Sequence, residues 1–193
     1  MARGRRAAPR GAALNTASFP PTDTPRCDHT SVGVLISSAA GLLVFERATP
    51  PIGVAPVAGH IDQHGGPERA AHQETAEEVG LTATHLHLLL HRWRPNRCRR
   101  PTSQPPGHDW WIFQAHASGS LRPSAREVRT PRWAQPDQLQ QLALRTAAYA
   151  SGDLSESEFT AEPGLQPVWV GFLHELQLVT MDDAALTRIE EIA

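Results

Sequence analysis

The segment from Gly59 to Leu81 constrains the structure of this 193-residue chain more than any other. Pro67 suits the first position of a helix, where its missing N–H is not needed, and Gly80 suits the left-handed position after the last turn. The sequence therefore predicts a helix from Pro67 to Val79. Because helical residues three and four apart share a face, one side of this helix should carry three carboxylates. They belong to Glu74, Glu77 and Glu78.

Three neighbouring carboxylates form an unfavourable arrangement in the absence of a cation. Like charges at these spacings repel, and the helix dipole disfavours an anion near the C-terminal end by roughly 0.3–1 kcal/mol. A bound divalent cation would reverse the sign of both effects. Oxygen ligands suit Mg²⁺ or Mn²⁺. A solvated acidic helix face is the alternative, but the glycines that flank the segment favour the metal site.

The same segment resembles the sequence box of the Nudix hydrolase family. That box runs Gly, five residues, Glu, seven residues, Arg-Glu-aliphatic-any-Glu-Glu-any-Gly-aliphatic. Six positions match in register: Gly59, Glu74, Glu77, Glu78, Gly80 and Leu81. Three positions depart from the box, since Gly65 replaces the first Glu, Gln73 replaces the Arg and Thr75 replaces the aliphatic residue.

These departures bear on the strength of catalysis. In the family the Arg holds the metal-binding carboxylates, and Gln73 can keep a hydrogen bond but not the charge. Asp62 and His64 are the nearest candidates to replace the acid missing at Gly65, with ordinary polar loop residues as the alternative interpretation.

The resemblance implies Mg²⁺- or Mn²⁺-dependent hydrolysis of the diphosphate bond in a nucleoside diphosphate linked to another moiety, by in-line attack of water. It implies that Glu74, Glu77 and Glu78 hold the metal, that the Gly59 carbonyl adds a backbone ligand, and that Glu77 or Glu78 helps to deprotonate the water. A general base outside the box is common in the family. The candidates for it here are Glu158 and Glu162, each with a plain surface acid as the alternative.

Two other functions remain open from the sequence. Gly65 and Gln73 are compatible with a catalytically weak Nudix-like module that binds a nucleotide or diphosphate ligand as a sensor. An isomerase of prenyl diphosphates would need a Cys and a Glu in the pocket, and Cys98 is the thiol available for that role.

Apolar patterning along the chain predicts an α/β fold. We expect strands at 30–36, 42–45, 54–59, from 84 onward, at 109–116 and at 127–134, and further helices at 137–150, 166–178 and 182–192, the last capped by Thr180. Residues 94–107 and 151–167 are predicted to be loops, and Trp111 and Trp169 are expected to pack in the core. Helices on both faces of a sheet give a three-layer α/β/α sandwich, and the Nudix resemblance implies the same fold with a mixed sheet.

Composition predicts a disordered tail over residues 1–25 and one soluble domain over 26–193. No apolar run approaches the roughly 20 residues of a membrane span, and a secretory signal is lacking, so a cytoplasmic protein is expected.

All 18 basic residues are Arg, which suggests a GC-rich bacterial genome. A net charge of −2 gives no field that attracts nucleic acid, so a small-molecule substrate is expected. A homodimer is the default assembly.

A second group of residues suggests a structural Zn²⁺ site. Two cysteines and two histidines lie before the first strand and around the 94–107 loop: Cys27, His29, Cys98 and His108. Two Cys and two His are a common tetrahedral zinc set, with ordinary reduced thiols as the alternative. The remaining histidines near strands, His60, His85, His87 and His91, are interpreted as ordinary loop or strand residues.

Overall fold

A computed structural model of the protein describes residues 27–62, 64–101 and 107–193, so the tail predicted at 1–25 lies outside the described residues. The strands in those ranges are β1 (Thr30–Ser38), β2 (Gly41–Arg47), β3 (Val54–Ala55), β4 (Val57–His60), β5 (Thr82–Arg94), β6 (His108–Ser118) and β7 (Val128–Ala134). The helices are α1 (Pro67–Val79), α2 (Pro136–Ala150), α3 (Glu156–Ala161), α4 (Pro167–Glu175) and α5 (Asp183–Glu191).

Strand β1 is the centre of a mixed sheet. It pairs with β6 in parallel and with β4 in antiparallel orientation, and its last two residues pair with β2. Strand β6 continues to β5, while β2 pairs with β7 and β3. The β1–β4 pairing sets Val32 opposite Gly59, so the start of the predicted metal segment lies against the central strand.

Two hydrophobic cores cover opposite faces of this sheet. Alternating residues of β1 divide between them, because successive strand side chains point to opposite faces. Val32 and Val34 join the core under α1, whereas Leu35 joins the core under α2, α4 and α5. The α/β architecture with a mixed sheet is therefore confirmed, with helices on both faces as the patterning predicted.

Most predicted elements are present, and α1 has the predicted bounds. The prediction that 151–167 is entirely loop was wrong, because α3 lies within it and begins with a capping box between Ser155 and Glu158. The predicted cap of the last helix was also wrong. Asp182 rather than Thr180 caps α5, since its carboxylate accepts a hydrogen bond from the Ala185 N–H at 2.7 Å.

None of the helices in the described part of the chain combines the length and apolar character that crossing a membrane requires.

Candidate active site

Helix α1 presents one face to the sheet and carries the predicted carboxylates. It ends at Gly80, which adopts the left-handed conformation with φ 69°. Thr75, one of the departures from the box, is fully buried, and its hydroxyl donates to the Ala71 carbonyl at 2.7 Å. The threonine therefore satisfies its polar group within the helix and does not disturb the packing.

Glu78 lies on the buried face of α1 and is only 4% exposed. Its carboxylate accepts a hydrogen bond from the backbone N–H of Ala58 at 3.0 Å. Burial raises the pKa of Glu78 to about 8, although nearby Arg47 and the Ala58 N–H act in the opposite direction. A carboxyl group so poorly compensated is suited to a cation.

Glu74 lies one helical turn earlier, directly over Gly59. A Cβ atom on Gly59 would overlap the carboxylate of Glu74, so only glycine leaves room for it here. Burial raises the pKa of Glu74 to about 7, with further contributions from the charges of Glu77 and Glu127. The absence of a side chain at Gly59 thus makes room for the carboxylate of Glu74.

Glu77 differs from its two partners because it is exposed. The Gln73 side-chain N–H donates to its carboxylate at 2.7 Å, which is the hydrogen bond that Gln73 can keep in place of the family Arg. Glu77 is still close enough for its charge to raise the pKa of Glu74. Gln73 contributes geometry to the acidic face but no positive charge.

A cavity of about 140 Å³ opens beside these residues. Gly59, Glu74 and Glu78 line one part of it, and Arg47 of β2 and Arg97 line another. The buried Nε atom of Arg47 has no hydrogen-bond partner in the structure. The cavity therefore combines the acidic residues Glu74 and Glu78 with positively charged arginine side chains, and both suit a phosphorylated ligand with its metal.

The donor set fits a magnesium or manganese ion. Glu74 and Glu78 offer hard oxygen atoms, and the buried pair has one described backbone N–H, that of Ala58, as a hydrogen-bond donor. Mg²⁺ in proteins is held by one or two carboxylates together with substrate phosphates. These two glutamates match that requirement.

Glu127 is a cavity residue that the sequence reasoning missed. It lines the cavity with Glu74 and Glu78, and its charge raises the pKa of both. It reaches the cavity because β7 pairs with β2, where Val128 lies opposite Arg47. The only signal that could have found it is this strand pairing, which the sequence pattern does not specify.

The structure does not bring the two predicted general-base candidates to the cavity. Glu158 is exposed, and its carboxylate accepts hydrogen bonds from the Ser155 N–H and hydroxyl, which lower its pKa. Glu162 follows α3 and forms an ion pair with Arg145 at 3.6 Å. The observed role of Glu158 is to cap α3.

The loop candidates for the missing acid have other partners. Asp62 forms a bidentate ion pair with Arg100, with N···O distances of 2.6 and 2.9 Å. His64 lies nearer the carboxylates, with its Nε2 atom 3.9 Å from Glu74. His64 therefore lies near one of the predicted metal ligands, whereas Asp62 is held by an arginine.

A second cluster lies on another part of the cavity wall. Four side chains could hold a metal ion there: Cys27, His60, Cys98 and His108. This set contains three of the four predicted zinc residues, but His60 takes the place of His29. The His29 ring instead bonds to the Gly107 carbonyl at 2.8 Å. The interpretation of His60 as an ordinary strand residue missed its position at the end of β4, beside His108.

Comparison with known proteins identifies the class to which this fold and site belong. The family model described as NUDIX domain matches residues 28–153, and the chain belongs to the Nudix family. Nudix hydrolases cleave pyrophosphate bonds in small nucleotide-derived substrates and generally use a divalent metal, so this chain is a pyrophosphohydrolase. None of the curated proteins matches the chain.

One solved structure supports the fold, and two others are less similar to this chain. The MutT protein from Methanosarcina mazei Go1 is 12% identical, with a TM-score of 0.55, and the alignment covers 79% of this chain and 94% of that protein. An Ap4A hydrolase from C. elegans is 21% identical over 58% of this chain and 84% of its own, with a TM-score of 0.43. A MutT NUDIX hydrolase from Burkholderia pseudomallei is 19% identical over 57% and 84%, also with a TM-score of 0.43.

Proposed function

We propose that this protein hydrolyses the diphosphate bond of a nucleoside diphosphate linked to another moiety, with Mg²⁺ or Mn²⁺ held by Glu74 and Glu78. The supporting observation is that the buried Glu78 and the half-buried Glu74 line a cavity that Arg47 also lines. The cation would neutralise the bridging phosphates and lower the pKa of a bound water.

The residues of the chain have distinct roles in this proposal. Glu74 and Glu78 hold the cation, and the Gly59 carbonyl adds a backbone ligand. The Arg47 guanidinium lines the cavity, and its positive charge attracts and orients the diphosphate. Glu77, which is exposed and closest to solvent, helps to accept the proton of the attacking water.

A second candidate function is a sensor that binds a nucleotide or diphosphate ligand without efficient turnover. Two observations favour it. Gly65 stands where the family box has its first Glu, and Gln73 supplies a hydrogen bond to Glu77 without the charge of the family Arg. Both functions use the same cavity, and turnover distinguishes them.

The test uses purified protein and a panel of nucleoside diphosphate derivatives: a nucleoside diphosphate sugar, a dinucleoside polyphosphate, ADP-ribose and a nucleoside triphosphate. Each is incubated with Mg²⁺, with Mn²⁺ or without a divalent cation, and nucleoside monophosphate release is followed by chromatography. We expect release from at least one compound only when a cation is present. Binding detected by calorimetry without release of nucleoside monophosphate would favour the sensor over the enzyme. If the protein neither binds nor cleaves any of the compounds, both proposals are refuted.

Gly59→Ala tests the match of shape between the glycine and Glu74. The added Cβ would displace the Glu74 carboxylate, and a misplacement of about 1 Å costs roughly 100-fold in rate. We therefore expect kcat/KM to fall about 10- to 100-fold, with weaker Mg²⁺ activation. Gly152→Ala is the control, because a Cβ there has open space, although its φ of 83° will cost some stability. Equal activity of Gly59→Ala and wild type would contradict the proposed role of Glu74.

A further inference from the structure

We propose that Cys27, His60, Cys98 and His108 bind a structural Zn²⁺ ion, at a site chemically distinct from the carboxylates of the active site. The four potential ligand atoms all lie within 4.8 Å of one another. Tetrahedral zinc with two sulfur and two nitrogen ligands separates its donor atoms by about 3.3–3.8 Å, given the usual bond lengths. The His60 Nε2 atom lies 3.5 Å from the Cys27 sulfur and 3.4 Å from the Cys98 sulfur.

The orientation of His108 is fixed by a contact on the far side of its ring. Trp110 Nε1 faces the Asn96 Oδ1 atom at 3.2 Å, and an indole N–H can only donate. The Asn96 atom is therefore the amide oxygen, and His108 Nδ1, 2.7 Å from it, must carry the proton. This leaves the His108 Nε2 lone pair directed at the Cys27 sulfur, 2.9 Å away. Such an outer hydrogen bond is typical of a metal-binding histidine.

Both cysteines have the same local support. The Cys27 sulfur accepts a hydrogen bond from the His29 N–H at 3.4 Å, and the Cys98 sulfur accepts one from the Arg100 N–H at 3.3 Å. In each case the donor is two residues after the cysteine. Each of these hydrogen bonds fixes the position of its sulfur atom. The two loops are thus shaped in the same way around the cluster.

The chemistry of the donors favours zinc over the metals of the active site. Two thiolates and two imidazoles suit Zn²⁺, whereas Mg²⁺ and Mn²⁺ prefer the oxygen atoms of Glu74 and Glu78. Four protein ligands complete a tetrahedron and leave no position for water, so the ion has a structural role. The cysteine–histidine cluster therefore prefers Zn²⁺, and the carboxylate site prefers Mg²⁺ or Mn²⁺.

The proposed ion would connect segments that are distant in sequence. Cys27 precedes β1, His60 ends β4, Cys98 lies in the loop after β5 and His108 begins β6. The three ligands other than Cys27 also line the cavity that contains the catalytic carboxylates. Zinc would therefore fix one wall of the substrate cavity and hold the start of the 98–107 loop against the Nudix box.

Metal content and cobalt spectroscopy test the site without reference to catalysis. Protein is produced in zinc-supplemented medium, purified without chelators and analysed by plasma mass spectrometry. We expect about one zinc per chain in the wild type and at least a tenfold lower content in Cys98→Ser and His60→Gln. Co²⁺ added to zinc-free wild-type protein should give the intense visible absorption of tetrahedral thiolate coordination, and one equivalent of Zn²⁺ should abolish it.

Two matched variants should retain the zinc. His29→Asn removes the histidine closest in sequence to Cys27, and asparagine tolerates the left-handed backbone found there, with φ 58°. Glu78→Gln disables the carboxylate site alone. Zinc lost in Glu78→Gln, or retained in both Cys98→Ser and His60→Gln, would overturn the proposal. The proposal would also be overturned if the wild-type protein carried no zinc and showed no cobalt spectrum. A native disulfide between Cys27 and Cys98 would overturn it as well. The cobalt titration uses only wild-type protein, so it decides the question even where a variant fails to fold.

Discussion

Glu78→Gln is expected to lower kcat/KM for the preferred diphosphate substrate by about 100- to 1000-fold, the size of effect seen when one preorganised electrostatic group is removed from an active site. Glutamine has the shape of glutamate, so its amide oxygen can still accept the Ala58 N–H. The substitution therefore removes the charge and leaves the packing. Since the carboxylate is buried and poorly compensated, the melting temperature of the metal-free protein should not fall.

The matched control for this prediction is Glu68→Gln. Glu68 lies on the same helix but is exposed in the first turn, away from the cavity lining. Both variants should be assayed for kcat/KM over a range of Mg²⁺ concentrations and for thermal unfolding. We expect the control to behave like the wild type. A comparable loss in both variants, or full activity in Glu78→Gln, would show that Glu78 is not the metal ligand.

Trp169→Ala is expected to lower the free energy of unfolding by about 3–5 kcal/mol, the range measured when large buried aromatic residues are truncated. Trp169 is fully buried, and its ring packs edge-on against Trp110 and Phe172 with centroid distances of 5.8 and 5.6 Å. Gly33 of β1 leaves the space that the indole fills. A domain with a total stability of about 5–15 kcal/mol would become marginal.

Urea denaturation followed by circular dichroism measures this loss. Leu144→Ala is the control, because Leu144 lies on α2 with 45% of its surface exposed. We expect the control to change the free energy of unfolding by less than about 1 kcal/mol. A loss for Trp169→Ala no larger than that of the control would mean that the indole does not organise the core beneath α4.

The sequence predicted the elements whose signals are local. Helix α1 was found because Pro67 and Gly80 mark its ends, and β1 because its apolar residues alternate. Helix α3 was missed because it has six residues and buries only Phe159, so no helical period is visible. The cap of α5 was misassigned because Thr180 and Asp182 both suit the position, and in the structure the backbone of Thr180 is hydrogen-bonded to Gln140 instead.

Some residues of the candidate site could also be predicted from local sequence, and others could not. Glu74 and Glu78 share a helix face by their spacing, and Gly59 comes within the same short segment, so the sequence was sufficient to group them. Glu127 and His60 required knowledge of strand pairing. His60 reaches the cysteine cluster because β4 pairs with β1, and no local pattern distinguishes that histidine from the others on the sheet.

The second core of the sheet extends beyond the segment that defines the family. The family match ends at residue 153, yet α4 and α5 contribute Val168, Phe172 and Ile189 to the core that covers Ile112. A fragment that ended at the family boundary would expose this apolar sheet face to water and would be expected to self-associate. The last 40 or so residues of the chain are therefore part of what a minimal enzyme must contain, although they carry none of its proposed ligands.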